Sequence, residues 1–393
     1  MPHHRTRFAE KQIIRDMAFS PCVAIVGMRQ IGKSTLLKHF SKRYYTFDDD
    51  AFAGEFQRNA QVLLTLPHFP LAIDEIQKHP PAFDALKYAI DNHKVPGRFL
   101  ISGSVRFASR KAIRESLTGR VMTINLLPMS LAECHQKALS RFIEKALQRS
   151  DESLTDSIKR AQWTSENTLL KYAEQGGMPG ICFARDQPLR KRYFESHLDT
   201  LLGRDIQLIR RTSLSVLTLL RLFRELAALQ GSPINLAALA RNANTSIPTL
   251  KNTLEAFEGL FLIRPYGETY YIEDLGLSHF VHRGSDLLDR KSMIKILFHE
   301  FRTQLNLTQN LSADMQPYST RGGIDIPFVI TTADSQTLAI AVDDSEDPSE
   351  KSLKGLTWFC KKNPTAKKLI LCRRKEPITM TNGTLCLPWT WVF

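Results

Sequence analysis

The stretch that most restricts how this chain can fold is Val23-Ala24-Ile25-Val26-Gly27-Met28-Arg29-Gln30-Ile31-Gly32-Lys33-Ser34-Thr35-Leu36-Leu37. It runs from a short apolar strand, through a loop with two glycines, into a helix. Residues 27–34 fit G-x-x-x-x-G-K-[ST]. A loop of this kind wraps its backbone around phosphates, while the helix N-terminus turns N–H groups and a dipole toward them. The candidate phosphate-binding residues are therefore Gly27, Met28, Arg29, Gln30, Ile31, Gly32, Lys33, Ser34 and Thr35. In this pattern Lys33 reaches the β- and γ-phosphates and the Ser34 hydroxyl binds Mg²⁺.

The first 130 residues alternate strand and helix signals. Short apolar runs fall at residues 22–26, 44–47, 71–73, 99–101 and 121–126, with helical patterns at about 33–42, 51–65, 81–93 and 106–117. Such alternation predicts an α/β fold, a parallel sheet covered by helices on both faces, with ligands at the carboxyl ends of the strands. One of those strands, Leu71-Ala72-Ile73-Asp74-Glu75, ends in two carboxylates. Asp74 is placed to hold Mg²⁺ together with Ser34, and Glu75 to orient and deprotonate an attacking water. The strand between the loop and this acidic pair, Tyr44-Tyr45-Thr46-Phe47, points to the P-loop subclass that carries a catalytic glutamate.

A later strand, Phe99-Leu100-Ile101, runs into Ser102-Gly103-Ser104. Either serine can serve as a γ-phosphate sensor or as an ordinary strand-end turn former. Arg106, Arg110, Arg114 and Arg120 follow, and at least one arginine is expected to stabilise transition-state charge, in cis or from a neighbouring subunit.

Composition narrows the setting. The chain of 393 residues is long enough for two or three domains, and its 43% hydrophobic and 24% charged residues are ordinary for a globular protein. No apolar run approaches a membrane span, and MPHHRTRFAEKQ has no signal-peptide stretch. Six scattered cysteines without a close pair predict reduced thiols and a cytoplasmic location. The net charge of +13 fits either an acidic partner such as nucleic acid or a merely basic surface. Its densest run is KKNPTAKKLILCRRK at 361–375, and the arginines between Arg185 and Arg211 are diluted by acids.

Residues 131–230 read as mainly helical. Between Pro233 and Asp274, Leu236, Leu239 and Ala240 share one helix face, and residues 242–246 form a turn. Ser246 then caps a helix with Leu250, Leu254, Phe257 and Phe261 at helical spacing, and a short Tyr/Ile hairpin follows. That order predicts a winged helix-turn-helix. The outward residues of its second helix, Thr249, Lys251, Asn252, Glu255 and Glu258, make a poor phosphate-binding face, so DNA contact and protein packing both stay open.

The combination GMRQIGKST, LAIDEIQ, FLISGS, SLTGRV with LLPMSLAE, YAEQGGMPG and YFESHLDTLLGRDI resembles a family of predicted bacterial and archaeal AAA+ ATPases. Those proteins carry a C-terminal domain of unknown function 4143. The resemblance implies ATP rather than GTP, Mg²⁺ as cofactor, and Arg120 as the leading finger or sensor. Arg29 matches the family's P-loop arginine. The implied organisation is an ATPase domain at 1–135, a helical region at 136–230, a winged helix at 231–285 and a restriction-endonuclease-like α/β domain at 286–393.

In that last domain Glu300 and Asp325 match the family's acids, but its Glu-x-Lys falls on Ala341 and Asp343, which implies a dead nuclease. The expected activity is ATP hydrolysis, with Glu75, Arg120, Ser102 and Ser104 as catalytic candidates and Ser34 and Asp74 as metal ligands. Hydrolysis would couple nucleotide state to a C-terminal module that binds duplex DNA or protein, in a monomer or a homo-oligomer, with no membrane partner. A nucleotide-dependent scaffold with little turnover and an ATP-gated nuclease are the alternatives.

Overall fold

The computed structural model describes residues 5–107, 118–282, 288–308, 311–320 and 322–393. Five strands, β1 (Cys22–Val26), β2 (Arg43–Thr46), β3 (Leu71–Asp74), β4 (Phe99–Gly103) and β5 (Val121–Asn125), form an all-parallel sheet in the order β2-β3-β4-β1-β5. Helices α1 (Ala9–Phe19), α2 (Lys33–Phe40), α3 (Asp50–Thr65) and α4 (Pro81–Asn92) accompany it. The central strands β1, β3 and β4 are buried along their whole length, as strands covered on both faces must be. The flanking β2 and β5 are partly exposed. This is the α/β fold read from the alternation, with β4 inserted between the phosphate-loop strand and the Asp74 strand. The helix expected at 106–117 lies largely outside the described residues, together with Arg110 and Arg114.

Register fixes the business edge of this sheet. Val26 lies beside Gly103 on one side and Asn125 on the other, and Thr46 lies beside Asp74. The carboxyl ends of β1, β2, β3 and β4 therefore converge, and Gly27, Asp74 and Ser102 emerge close together. Val121, in contrast, pairs with Cys22, at the opposite edge.

A second sheet lies in the C-terminal part. Strands β8 (Ala313–Ser319), β9 (Asp325–Thr332) and β10 (Thr337–Val342) are antiparallel, β10, β11 (Lys367–Cys372) and β13 (Leu385–Pro388) are parallel, and β12 (Ile378–Thr379) closes the far edge. Side chains alternate between its faces. Leu338, Ile340 and Val342 enter one apolar cluster, while Ala339 and Ala341 enter another beneath the helix Glu350–Lys362.

Between the two sheets run helices Val216–Leu229, Leu236–Asn242 and Ile247–Gly259, followed by the antiparallel pair β6 (Ile263–Tyr266) and β7 (Thr269–Ile272). Ser246 caps the third helix, its hydroxyl accepting from Thr249 N at 3.2 Å. Leu250, Leu254 and Phe257 are buried as their spacing demands.

Packing does not follow the order of the chain. Residues 136–230 are no unit of their own. Phe142, Leu154 and Leu169 join the core of the second sheet, where the Phe142 ring stacks on Phe301 with centroids 6.1 Å apart. Phe194, Leu198, Leu222 and Phe223 instead join the core of the first sheet. The missed signal was long-range: helical periodicity tells which face is buried, not against what.

Candidate functional site: a phosphate loop and its carboxylates

The loop after β1 is shaped by its glycines. A Cβ on Gly27 would lie 2.4 Å from the Leu126 carbonyl oxygen, so only glycine fits between β1 and the chain leaving β5. Gly32 opens α2 at φ +96°, a left-handed geometry that favours glycine. Met28 and Ile31 are buried anchors of the loop, and Gln30 adopts φ +66°. Arg7 braces the loop from behind, donating to the Ile31 carbonyl at 2.8 Å, the Leu127 carbonyl at 2.7 Å and the Glu133 carboxylate at 3.0 Å.

Lys33 is almost wholly buried, and its ammonium donates to the carbonyls of Gly27 (3.1 Å) and Met28 (3.0 Å). Burial pushes its proton affinity down, while the negative charges of Glu75 and Asp74 pull it back up. An ammonium held this way, on the inside of its own loop, has carbonyl partners that a phosphate oxygen can replace.

The acidic pair is built from three strands. Tyr44 on β2 donates its hydroxyl to Asp74 at 2.6 Å and also meets the Ser34 side chain, which brings the two expected metal ligands onto one phenol. Burial, then the bond to Asp74, raises the Tyr44 proton affinity, which keeps it a donor. Ser102 donates to the other oxygen of Asp74 and accepts from the Glu75 N–H at 3.2 Å. Glu75 sits at φ +52° and ψ +40°, uncommon for a side chain of its size and typical of residues held in place by their surroundings. Its carboxylate accepts from Ser104 at 2.8 Å and from Gln77.

The loop and Glu75 border a cavity of about 490 Å³, the size of a small-ligand site. Its walls include Arg29, Gln30, Gly32, Lys33, Ser34, Thr35 and Glu75. Part of the opposite wall comes from far along the chain. Pro179 and Gly180 line the cavity, and the turn carrying them is pinned where Met129 N donates to the Gly177 carbonyl (2.8 Å) and Gly177 N donates to Asp274 (2.7 Å). A glycine cradle, a buried ammonium and a hydroxyl near paired carboxylates fit Mg²⁺ and a nucleotide triphosphate.

Two sequence expectations change. Ser102 and Ser104 are fully enclosed and bind Asp74 and Glu75, so they act through the carboxylates rather than on the cavity wall. Arg120 precedes β5 at the amino edge of the sheet, where its guanidinium grips Asp91 at 2.7 and 2.9 Å. Five residues of strand, roughly 15 Å, separate it from the edge that carries the loop, so it does not serve the cavity of its own chain. Arg106 is also engaged, with Glu258 at 2.7 Å and over the Phe261 ring.

Sequence reasoning missed Arg7, Tyr44, Gln77, His197 and Asp205. Asp205 was findable in principle: it is an acid inside a basic stretch, and it accepts from Arg29 at 2.8 Å. His197 Nδ1 lies 3.2 Å from the Gln30 side-chain oxygen.

The nuclease-like positions of the second sheet are not gathered. Glu300 is buried beside Gln304, whose amide donates to it at 2.8 Å, and burial pushes its carboxyl up to about 7. Asp325 is instead paired at 2.8 Å with Arg290, ten residues before Glu300 on the same helix. Arg290 also donates to the Val342 carbonyl, and its N–H to Asp344. Asp343 accepts from the N–H groups of Ser345 and Ser349 and from the Ser352 hydroxyl, bracing the entry to the helix Glu350–Lys362. Among the described residues no group of three or more His, Cys, Asp or Glu could hold a metal ion. No helix among them is long and apolar enough to cross a membrane, and all six cysteines are free.

Comparison with known proteins agrees at the level of the first domain. A family model described as an AAA domain matches residues 20–135, and one described as a domain of unknown function, DUF8612, matches residues 166–279. The second is not the domain 4143 that the sequence motifs suggested. Two uncharacterized mycobacterial proteins, Mb2031c of Mycobacterium bovis and Rv2008c of Mycobacterium tuberculosis, are each 25% identical over 290 residues. The match takes in 70% of this chain and 58% of theirs, so it spans little more than half their length.

Among solved structures, the Walker-type ATPase PABY2304 of Pyrococcus abyssi is 15% identical with a TM-score of 0.39, over 69% of this chain and 94% of that one. The DNA clamp loader delta protein of Bacillus subtilis is 11% identical with a TM-score of 0.26, over 65% and 88%. Residues 20–135 are thus similar to an AAA domain, and they contain the parallel sheet and the phosphate loop described above.

Proposed function

We propose that the chain is a Mg²⁺-dependent ATPase. The observation that carries this reading is the meeting of Lys33, Ser34 and Glu75 on one cavity, with Asp74 tied to Ser34 through Tyr44. The loop amides and Lys33 hold the β- and γ-phosphates. Ser34 and Asp74 would hold Mg²⁺, which supplies charge neutralisation between those phosphates when bound. Glu75 orients a water and takes its proton as the water oxygen bonds to the γ-phosphorus. The bond to the β-phosphate oxygen breaks, and its electron pair leaves with ADP. Ser102, Ser104 and Gln77 keep both carboxylates in place.

The nucleotide state passes to the C-terminal part through contacts around the helix Ile247–Gly259. We read that helix, its partner Leu236–Asn242 and the β6-β7 hairpin as a winged helix. Its outward acids are already engaged, Glu258 with Arg106 and Glu255 with Arg210, which also donates to Asn252. That supports a packing and coupling role for this face over direct DNA contact. Likewise Lys367, Lys368, Arg373 and Arg374 of the basic run are bonded within the protein, which favours a structural surface there. Duplex DNA remains the partner to test first, a protein partner second, and Arg120 remains available to a neighbouring copy.

The test is steady-state phosphate release from ATP by the unaltered chain, Lys33→Ala and Glu75→Gln, with and without duplex DNA. Glu75→Gln should bind ATP and lose about 100-fold or more of turnover, the usual share of a general base. ATP binding without turnover by the unaltered chain would favour the scaffold reading.

A further inference from the structure

Among the described residues Arg120 stands at the far edge of the sheet and Arg106 is committed to Glu258, so neither brings charge to this cavity from its own chain. Arg29 stands on the phosphate loop itself and lines the cavity with Lys33 and Ser34. Its position is set from outside the first domain. Asp205, 2% exposed, accepts from Arg29 Nη1 at 2.8 Å, and its other oxygen takes Arg204 at 2.9 Å. Asp205 ends a π-helical turn, Leu201–Asp205, a local widening that recurs at functional sites.

Eight residues earlier on this helical run, His197 is equally buried and meets Gln30 at 3.2 Å, on the left-handed residue next to Arg29. The run thus grips two successive side chains of the loop. Among the described residues the bond to Asp205 is the only hydrogen bond of the Arg29 guanidinium, which is about one quarter exposed. Most of its donors stay available to a ligand in the cavity. The other two arginines of the wall are less suited: Arg7 is committed to two carbonyls and Glu133, and Arg5 lies over the Phe183 ring.

We propose that Arg29 is the catalytic arginine that meets the γ-phosphate in cis, and that Asp205 is its positioning residue, holding the guanidinium over the loop. This rests on the ATPase reading above. The planar fork of arginine bonds phosphate oxygens in pairs, and the contact strengthens as charge spreads over them in the transition state. The same pair makes turnover depend on the helical run 187–209, because displacing Asp205 misplaces Arg29.

The experiment pairs kinetics with binding. In Arg29→Ala, kcat should fall about 100-fold or more while KM moves less than about threefold, the pattern of an interaction made mainly in the transition state. Affinity for Mg²⁺-ADP should hold within about threefold, and affinity for Mg²⁺-ADP-aluminium fluoride, which mimics the transferring phosphoryl group, should drop about 30-fold or more. Asp205→Asn should lower kcat about tenfold in the unaltered chain and have no further effect in Arg29→Ala. Arg29→Lys, which keeps the charge and loses the fork, should fall between and melt at the unaltered temperature, separating chemistry from folding.

Equal turnover and equal aluminium fluoride affinity in Arg29→Ala would overturn the proposal while leaving the ATPase reading intact. So would an Asp205→Asn loss that persists undiminished in Arg29→Ala. An unaltered chain that neither hydrolyses ATP nor binds the aluminium fluoride complex would defeat both.

Discussion

The two sheets of this molecule both place carboxylates at strand termini, and they use them differently. In the first, Asp74 and Glu75 emerge at the edge where a buried ammonium and a glycine loop also emerge, and their partners are the neutral groups of Tyr44, Ser102, Ser104 and Gln77. Neutral donors fix a carboxylate while leaving its charge for a cation. In the second, Asp325 is matched by Arg290, and Asp343 is saturated by two N–H groups and serine hydroxyls. A guanidinium neutralises Asp325 there. What separates a chemical site from a structural brace is therefore whether the carboxylates face a cavity beside a buried ammonium, rather than the presence of acids.

The largest expected effect that sharpens this contrast is the loss of about 100-fold or more in ATP turnover for Glu75→Gln, against an unchanged rate for Asp325→Ala.

Next comes a pH effect confined to the second sheet. Burial, with a smaller push from the Glu133 charge, raises the Glu300 carboxyl to about 7 in the folded chain, while its ordinary value is 4.5. The folded state thus holds a proton that the unfolded state releases between those values. Its contribution to stability is fully present below about pH 4.5 and is lost as pH rises through about 7, roughly 3 kcal/mol in all. Glu300→Gln should flatten that slope and melt higher at pH 8. A slope unchanged in Glu300→Gln would mean that the carboxyl is hydrated.

A smaller effect concerns the junction of the two halves. A double-mutant cycle on Arg106 and Glu258, paired at 2.7 Å in a half-buried setting, should give a coupling of about 1 kcal/mol in thermal or denaturant unfolding. If ATP turnover responds to a partner, Arg106→Ala should weaken that response more than the basal rate. Smallest is Asp325→Ala itself, whose pair with Arg290 is largely exposed, and whose stability should change by less than about 1 kcal/mol.

Legibility in the sequence divides along the same line. The five strands of the first sheet, the phosphate loop and the acidic pair were readable, because each is local: a buried parallel strand is a short apolar run, and the loop pattern spans eight residues. Ser102 and Ser104 were visible as polar strand ends, but their bonds to Asp74 and Glu75 depend on β4 lying beside β3, which spacing alone does not fix. For Arg120 the sequence left a role in its own chain or in a neighbouring one open, for a related reason. A residue before a parallel strand and one after it stand on opposite edges, so proximity in sequence to the sensor strand said nothing about proximity to the loop. Asp205, His197 and the Pro179 turn come from far beyond the loop in sequence, where periodicity carries no information on docking. In the second sheet Glu300 and Asp325 were legible as matching acids and Ala341 and Asp343 as substitutions; that Arg290 occupies Asp325 required the helix to be seen beside the strand.

The measurement that tests the central claim most directly is Mg²⁺-dependent phosphate release from ATP, taken on the unaltered chain, Glu75→Gln and Asp325→Ala side by side, with DNA strand breaks scored in the same reactions. The account predicts turnover that Glu75→Gln loses and Asp325→Ala retains, with no strand breaks in any of them. Turnover indifferent to Glu75, or Mg²⁺-dependent cutting that disappears with Asp325→Ala, would contradict it.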